Sequence, residues 1–215
     1  MIFNKMKRIL NKGRADNKGL TLIELIVTTL IMSMVVGIVV IFVASSRNSY
    51  LIVHNEAIMQ NEAEIAMTYI TDIAKKATAG RVTGYYDVTV GAESKSYNAL
   101  VMQATDSVPY YYFIVHDATD GNLKFCKIKC SDTVTLKWIA GADKDNINNI
   151  DVTATLEAGH IYESDYKRTF LADYVTNFNP VISDRNKALL QISIDFRYGD
   201  SSYSVSKNVI SRNIM

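Results

Sequence analysis

The chain has 215 residues, of which 48% are hydrophobic and 21% charged, too apolar for a disordered tail and too polar for a multi-span membrane protein. Its formal charge of +1 hides an asymmetry: residues 1–19 hold six basic residues against Asp16, a net of +5, so the remainder carries −4. A basic head on a mildly acidic body lacks the basic stripe that nucleic-acid binding needs, and no direct nucleic-acid partner is predicted. The head fits retention on the cytoplasmic side of a membrane.

Residues 1–19 are polar, with no apolar period. Residues 20–43 (LTLIELIVTTLIMSMVVGIVVIFV) form an apolar run with one charge, Glu24. As a helix the run would span about 36 Å, enough to cross the cytoplasmic membrane. Six basic residues before it and Arg47 after it predict a single pass with the N-terminus inside and the C-terminus outside. A secretory signal peptide would have an apolar core of only about 7–15 residues and a small-residue cleavage site. The nearest match, Phe42-Val43-Ala44, puts a bulky Phe where a small residue is needed.

Residues 44–80 carry the helical pattern onward. Met59, Ala63, Ala66, Ile70, Ile73 and Ala77 recur at three- and four-residue steps, with Glu62, Glu64, Thr68 and Asp72 between them. Lys75 and Lys76 suit a helix C-terminus and Gly80 a stop. One continuous helix to about residue 78 would measure about 88 Å.

Residues 81–215 change to a period of two. Segments 110–116 and 123–129 flank an Asp-Gly-containing link and predict a hairpin; 189–198 and 203–210 flank Gly199-Asp200-Ser201-Ser202 and predict a second. Shorter strands are expected at 81–90, 99–103, 133–139 and 150–156, with a surface loop over 141–149. Residues 163–174 read equally as a helix or as a loop with a strand. The fold class expected is α+β, with the C-terminal half of the long helix packed on an antiparallel sheet.

No pattern of catalytic, cofactor-binding or metal-ligating residues emerges. His54, His116 and His160 are dispersed and read as surface or satisfied core histidines. Asp143, Asp145 and Asp151 with Asn146, Asn148 and Asn149 read as a solvated turn, because Ile147 stands where an EF-hand would place a ligand. The methionines of the helix read as packing residues, and Tyr110-Tyr111-Tyr112 as a strand. Cys126 and Cys130, four apart in a continuous strand, would lie about 13 Å apart, beyond the roughly 7 Å reach of a disulfide, which favours free thiols; a turn at Lys127-Ile128-Lys129 in an oxidising compartment would instead let them pair.

One stretch carries chemistry. Lys18-Gly19-Leu20-Thr21-Leu22-Ile23-Glu24-Leu25, leading into the apolar run, resembles the processing signature of the type IV pilin family. The resemblance is specific over residues 18–43 and rests on pattern alone to about residue 78. It implies a non-enzymatic structural subunit whose leader is cut between Gly19 and Leu20 by a prepilin peptidase, with N-methylation of Leu20. The family more often has Phe at that position. It also implies that Glu24 serves assembly with other pilin subunits into a cell-surface pilus or pseudopilus. Physical reasons stand beside the resemblance: Gly19 lets a peptidase approach the carbonyl closely. Glu24, a carboxylate costing about 2.5–3.5 kcal/mol at mid-bilayer, asks for a partner. An apolar helix without proline and the ending Ser211-Arg212-Asn213 resemble the larger minor pilins and J-type minor pseudopilins. Two other readings stay open: a competence pseudopilin acting in DNA uptake, and an extracellular enzyme or adhesin on a pilin-like anchor.

Overall fold

The structure, a computed structural model, describes residues 21–90, 93–105, 108–144, 146–158, 170–183 and 189–211. The expected leader, Gly19, Leu20, Asp145, His160, residues 163–169 and Arg212-Asn213 lie outside the described residues. The chain divides into two units, residues 1–50 and 51–215, with the boundary inside one helix.

That helix, α1, runs without a break over Leu22–Lys76. Through residue 54 every described position is exposed, apolar or not. Beyond that the amphipathic pattern takes hold: Met59, Ala63, Ala66, Met67, Ile70, Ile73 and Ala74 are buried, at three- and four-residue steps. Lys76 in the last turn pairs with Asp72 at 3.1 Å, an exposed i,i+4 contact.

The second unit is α+β, as its sequence predicts, but it holds two antiparallel sheets rather than one. Strands β1 (Ala77–Val90), β2 (Glu93–Thr105), β3 (Pro109–Asp117), β4 (Asn122–Lys129) and β5 (Phe170–Ala172) form the first, in chain order. Strands β6 (Val175–Ile182), β7 (Leu189–Tyr198) and β8 (Ser201–Ile210) form the second. Both predicted hairpins are present. In β3–β4, Asp117 Oδ1 accepts from the backbone N–H of Thr119 (3.0 Å) and Asp120 (3.1 Å), and Gly121 takes a φ of 66°. In β7–β8 the link is only Gly199-Asp200, with Gly199 at φ 61° and Tyr198 already opposite Ser201.

Two layers cover the first sheet. Leu100, Met102, Ala104, Tyr112 and Ile114 share one core with α1 and with Phe178, Ile192, Ile194 and Phe196 of the second sheet. The alternate residues Tyr97, Ala99, Val101, Tyr111, Phe113 and Val115 face a second core with Leu136, Ile147, Ile150, Val152 and Leu156. The tyrosine run is therefore a strand buried on both faces.

Several expectations are corrected. Gly80 is not a helix stop: β1 starts at Ala77, and Gly80 pairs with Met102 where a Cβ would stand 3.0 Å from Ile182 Cδ1. Residues 133–139 form no strand. Asp132 Oδ1 accepts from Val134 N and Thr135 N, which curls the backbone, and only a Trp138–Ile150 bridge remains. Residues 150–156 are mostly helix α2 (Val152–Ala158), because Asp151 caps its first turn through Ala154 N at 3.0 Å. Strand β6 escaped the sequence reading, since Asn177, Asn179 and Pro180 are poor strand formers. Within its sheet it is an edge strand, where a missing N–H is tolerated.

Candidate processing and assembly site

The site is the start of α1. Thr21 is the N-cap and Glu24 the third helical residue, the spacing of a capping box. Both reciprocal contacts of the box are made, with a third between the side chains. Thr21 N donates to Glu24 Oε2 at 2.9 Å, Thr21 Oγ1 donates to the same oxygen at 3.0 Å, and Glu24 N approaches Thr21 Oγ1 at 3.4 Å. Leu25 N closes the first turn on Thr21 O at 3.2 Å. The carboxylate thus folds back over the helix N-terminus, where the positive end of the dipole favours it.

Around it the helix satisfies its own polar groups. Thr28 Oγ1 donates to Glu24 O (2.8 Å), Thr29 Oγ1 to Ile26 O (2.9 Å) and Ser33 Oγ to Leu30 O (2.7 Å). Hydroxyls bonded this way no longer need water, which suits a helix surrounded by hydrocarbon. Leu22–Lys76 contains one stretch long and apolar enough to cross a membrane. Its side chains, from Leu22 at 81% exposure to Phe42 at 71%, are open on all sides.

Of the residues singled out by the sequence, Glu24 is described and Gly19 and Leu20 are not. Thr21, which the sequence reading quoted in the signature without a role of its own, is the residue that orients Glu24; the Thr-x-x-Glu spacing before an apolar run was its signal. Elsewhere, His116 is a satisfied core histidine and His54 is exposed. Asp143 O accepts from Asn149 Nδ2, and Asp151 caps α2. Among the described residues no group of three His, Cys, Asp or Glu side chains converges as a metal site would require. Cys126 and Cys130 are free thiols.

These features define a class: a protein with an apolar, capped N-terminal helix suited to anchoring in a membrane, and an α+β domain. The chain carries the type IV prepilin signature, because the family model for the prokaryotic N-terminal methylation motif matches residues 14–40. That signature marks a type IV pilin or pseudopilin, a structural protein processed by prepilin peptidase and assembled with other pilins. No curated protein and no solved structure matches the chain.

Proposed function

We propose that the chain is a minor subunit of a type IV pilus or a related secretion or competence fibre. It inserts with its N-terminus inside, is cut between Gly19 and Leu20, is methylated on Leu20, and joins the fibre through Glu24. The observation that carries this reading is the coincidence of the methylation motif at residues 14–40 with a capped helix whose first half is apolar on all sides apart from Glu24. A minor rather than a shaft role is supported by the absence of proline from all 55 residues of α1. A place near the fibre tip, helping assembly to start, follows from that role.

Mass spectrometry of membrane-extracted protein tests it. The expected mature chain begins at Leu20 and carries one added methyl group, while Gly19→Arg leaves the precursor uncut. A full-length chain in cells that hold an active prepilin peptidase overturns the reading.

A further inference from the structure

His116 of β3 is fully buried on the face that meets α1 and the second sheet, opposite Asn98 of β2 and Leu123 of β4. Its Nε2 lies 3.2 Å from the Val175 carbonyl of β6. Its Nδ1 lies 3.1 Å from the Tyr85 hydroxyl of β1. That hydroxyl is in turn 3.3 Å from Oδ1 of Asn177 on β6. Asn177 Nδ2 donates to Asp195 Oδ2 of β7 at 3.0 Å, which fixes the amide with its oxygen toward Tyr85, since an ionised carboxylate only accepts.

Three contacts lie between His116, Tyr85 and their two acceptors, and each needs one proton. The Val175 carbonyl and Asn177 Oδ1 have none to give. A neutral imidazole supplies one and the tyrosine one, so neutral His116 leaves one contact without a proton. An imidazolium supplies two and completes all three. With neutral imidazole, Nε2–H still serves Val175 and Tyr85 donates to Nδ1, so the contact that lapses is the longest, Tyr85 to Asn177.

We propose that His116 is a proton switch in the seam between the two sheets: protonated, it closes the chain Val175–His116–Tyr85–Asn177–Asp195, and neutral, it opens that chain between Tyr85 and Asn177. The groups that set its charge are few. Tyr85 faces it from β1, Asn98 from β2, Asn177 from β6 and, through Asn177, Asp195 from β7. Asp117 is its chain neighbour, but points to the other face with Lys124, 3.8 Å away. Burial holds the imidazole below its ordinary 6.5, while the Val175 carbonyl and Asp117 pull it back up. The added hydrogen bond therefore offsets only part of the cost of burying the charge, and the switch works below the ordinary histidine range. It belongs to the folded domain and stands whether or not the chain enters a fibre.

The test is an NMR titration of the full chain in detergent micelles with ring-labelled histidine, His116 being assigned by the signal lost in His116→Gln. In wild type the neutral form is expected as the Nε2–H tautomer; a dominant Nδ1–H tautomer overturns the proposal. Asn177→Ala frees the Tyr85 hydroxyl to donate to Nδ1 alone, so His116 should titrate at lower pH than in wild type. In a Tyr85→Phe background the same substitution should have no effect. A site governed by burial alone behaves oppositely, because the shorter side chain admits water and raises the titration toward 6.5. An unchanged or raised value, or a drop that persists without Tyr85, overturns the switch.

Discussion

Thr21 does two jobs with one hydroxyl: it donates to Glu24 Oε2 and stands against Glu24 N. Replacing it with Val keeps the size and removes the cap. We expect the first turn of α1 to fray by about 1 kcal/mol, read as faster amide exchange at Ile23 and Glu24 in micelles, with Thr21→Ser near wild type. The thiols make a second residue-level case. Burial pushes Cys126 up to about 11, and pushes Cys130 up as well, though there the Gln103 amide at 4.0 Å works against it. Alkylation of the folded, reduced protein near neutral pH should mark Cys130 before Cys126, and equal rates would contradict the packing described. His116 adds a pH dependence whose sign follows from its lowered folded value. The unfolded chain binds the proton more readily, so the contribution to stability is whole above about pH 6.5 and is lost as pH falls below that toward the folded value. Thermal melting between pH 7.5 and 5.5 should show this decline, and His116→Gln should flatten it.

Among elements, the most informative is the junction of β1 with β6. Gly80 accepts the approach of Ile182, and the nearest atom to a Cβ there is the end of a flexible side chain. Gly80→Ala should therefore cost little, under about 1 kcal/mol, and less still in an Ile182→Val background, which lacks the Cδ1 atom. Denaturant unfolding of the single and double variants measures the coupling. The same junction shows where sequence reading stops. The register of α1 was legible because one face buries residues at helical spacing, and both hairpins were legible because Gly121 and Gly199 supply the positive φ that their turns demand. Gly80 looked like a helix stop because its reason, Ile182, lies about a hundred positions away in the chain. Residues 133–139 and 150–156 misled for a different cause. Both are rich in β-formers, yet Asp132 and Asp151 each hand a side-chain oxygen to the backbone two or three residues on, and that local bond decides for a turn and a helix. At the candidate site, Glu24 was conspicuous as the lone charge in an apolar run. Thr21 was not, because a threonine in such a run looks like any other small side chain until the three-residue spacing is noticed.

At the scale of the whole molecule, the apolar half of α1 sets the problem that assembly must solve. In the single chain every described residue from 22 to 43 is exposed, and on the proposed function lipid covers these side chains before assembly and neighbouring subunits afterward. An all-round apolar surface packs against its like at many offsets of similar energy. A charge removes that degeneracy. The proposed cut would free an ammonium group four residues before Glu24, an awkward pairing within one helix and a natural one with a neighbour shifted along the fibre. The capping box aims both Thr21 donors at Oε2 and leaves Oε1 to accept from such a neighbour. Pairing would offset the desolvation of both charges and single out one stagger. Glu24→Val should therefore insert and be cut at least as well as wild type, since a membrane helix gains by losing a charge. It should nonetheless be depleted from sheared fibres relative to mature-length protein in membranes, and far more so than Thr21→Val, which spares the carboxylate. Equal incorporation of Glu24→Val and wild type would assign the register to side-chain packing along 22–43 and leave Glu24 no part in it beyond capping its own helix.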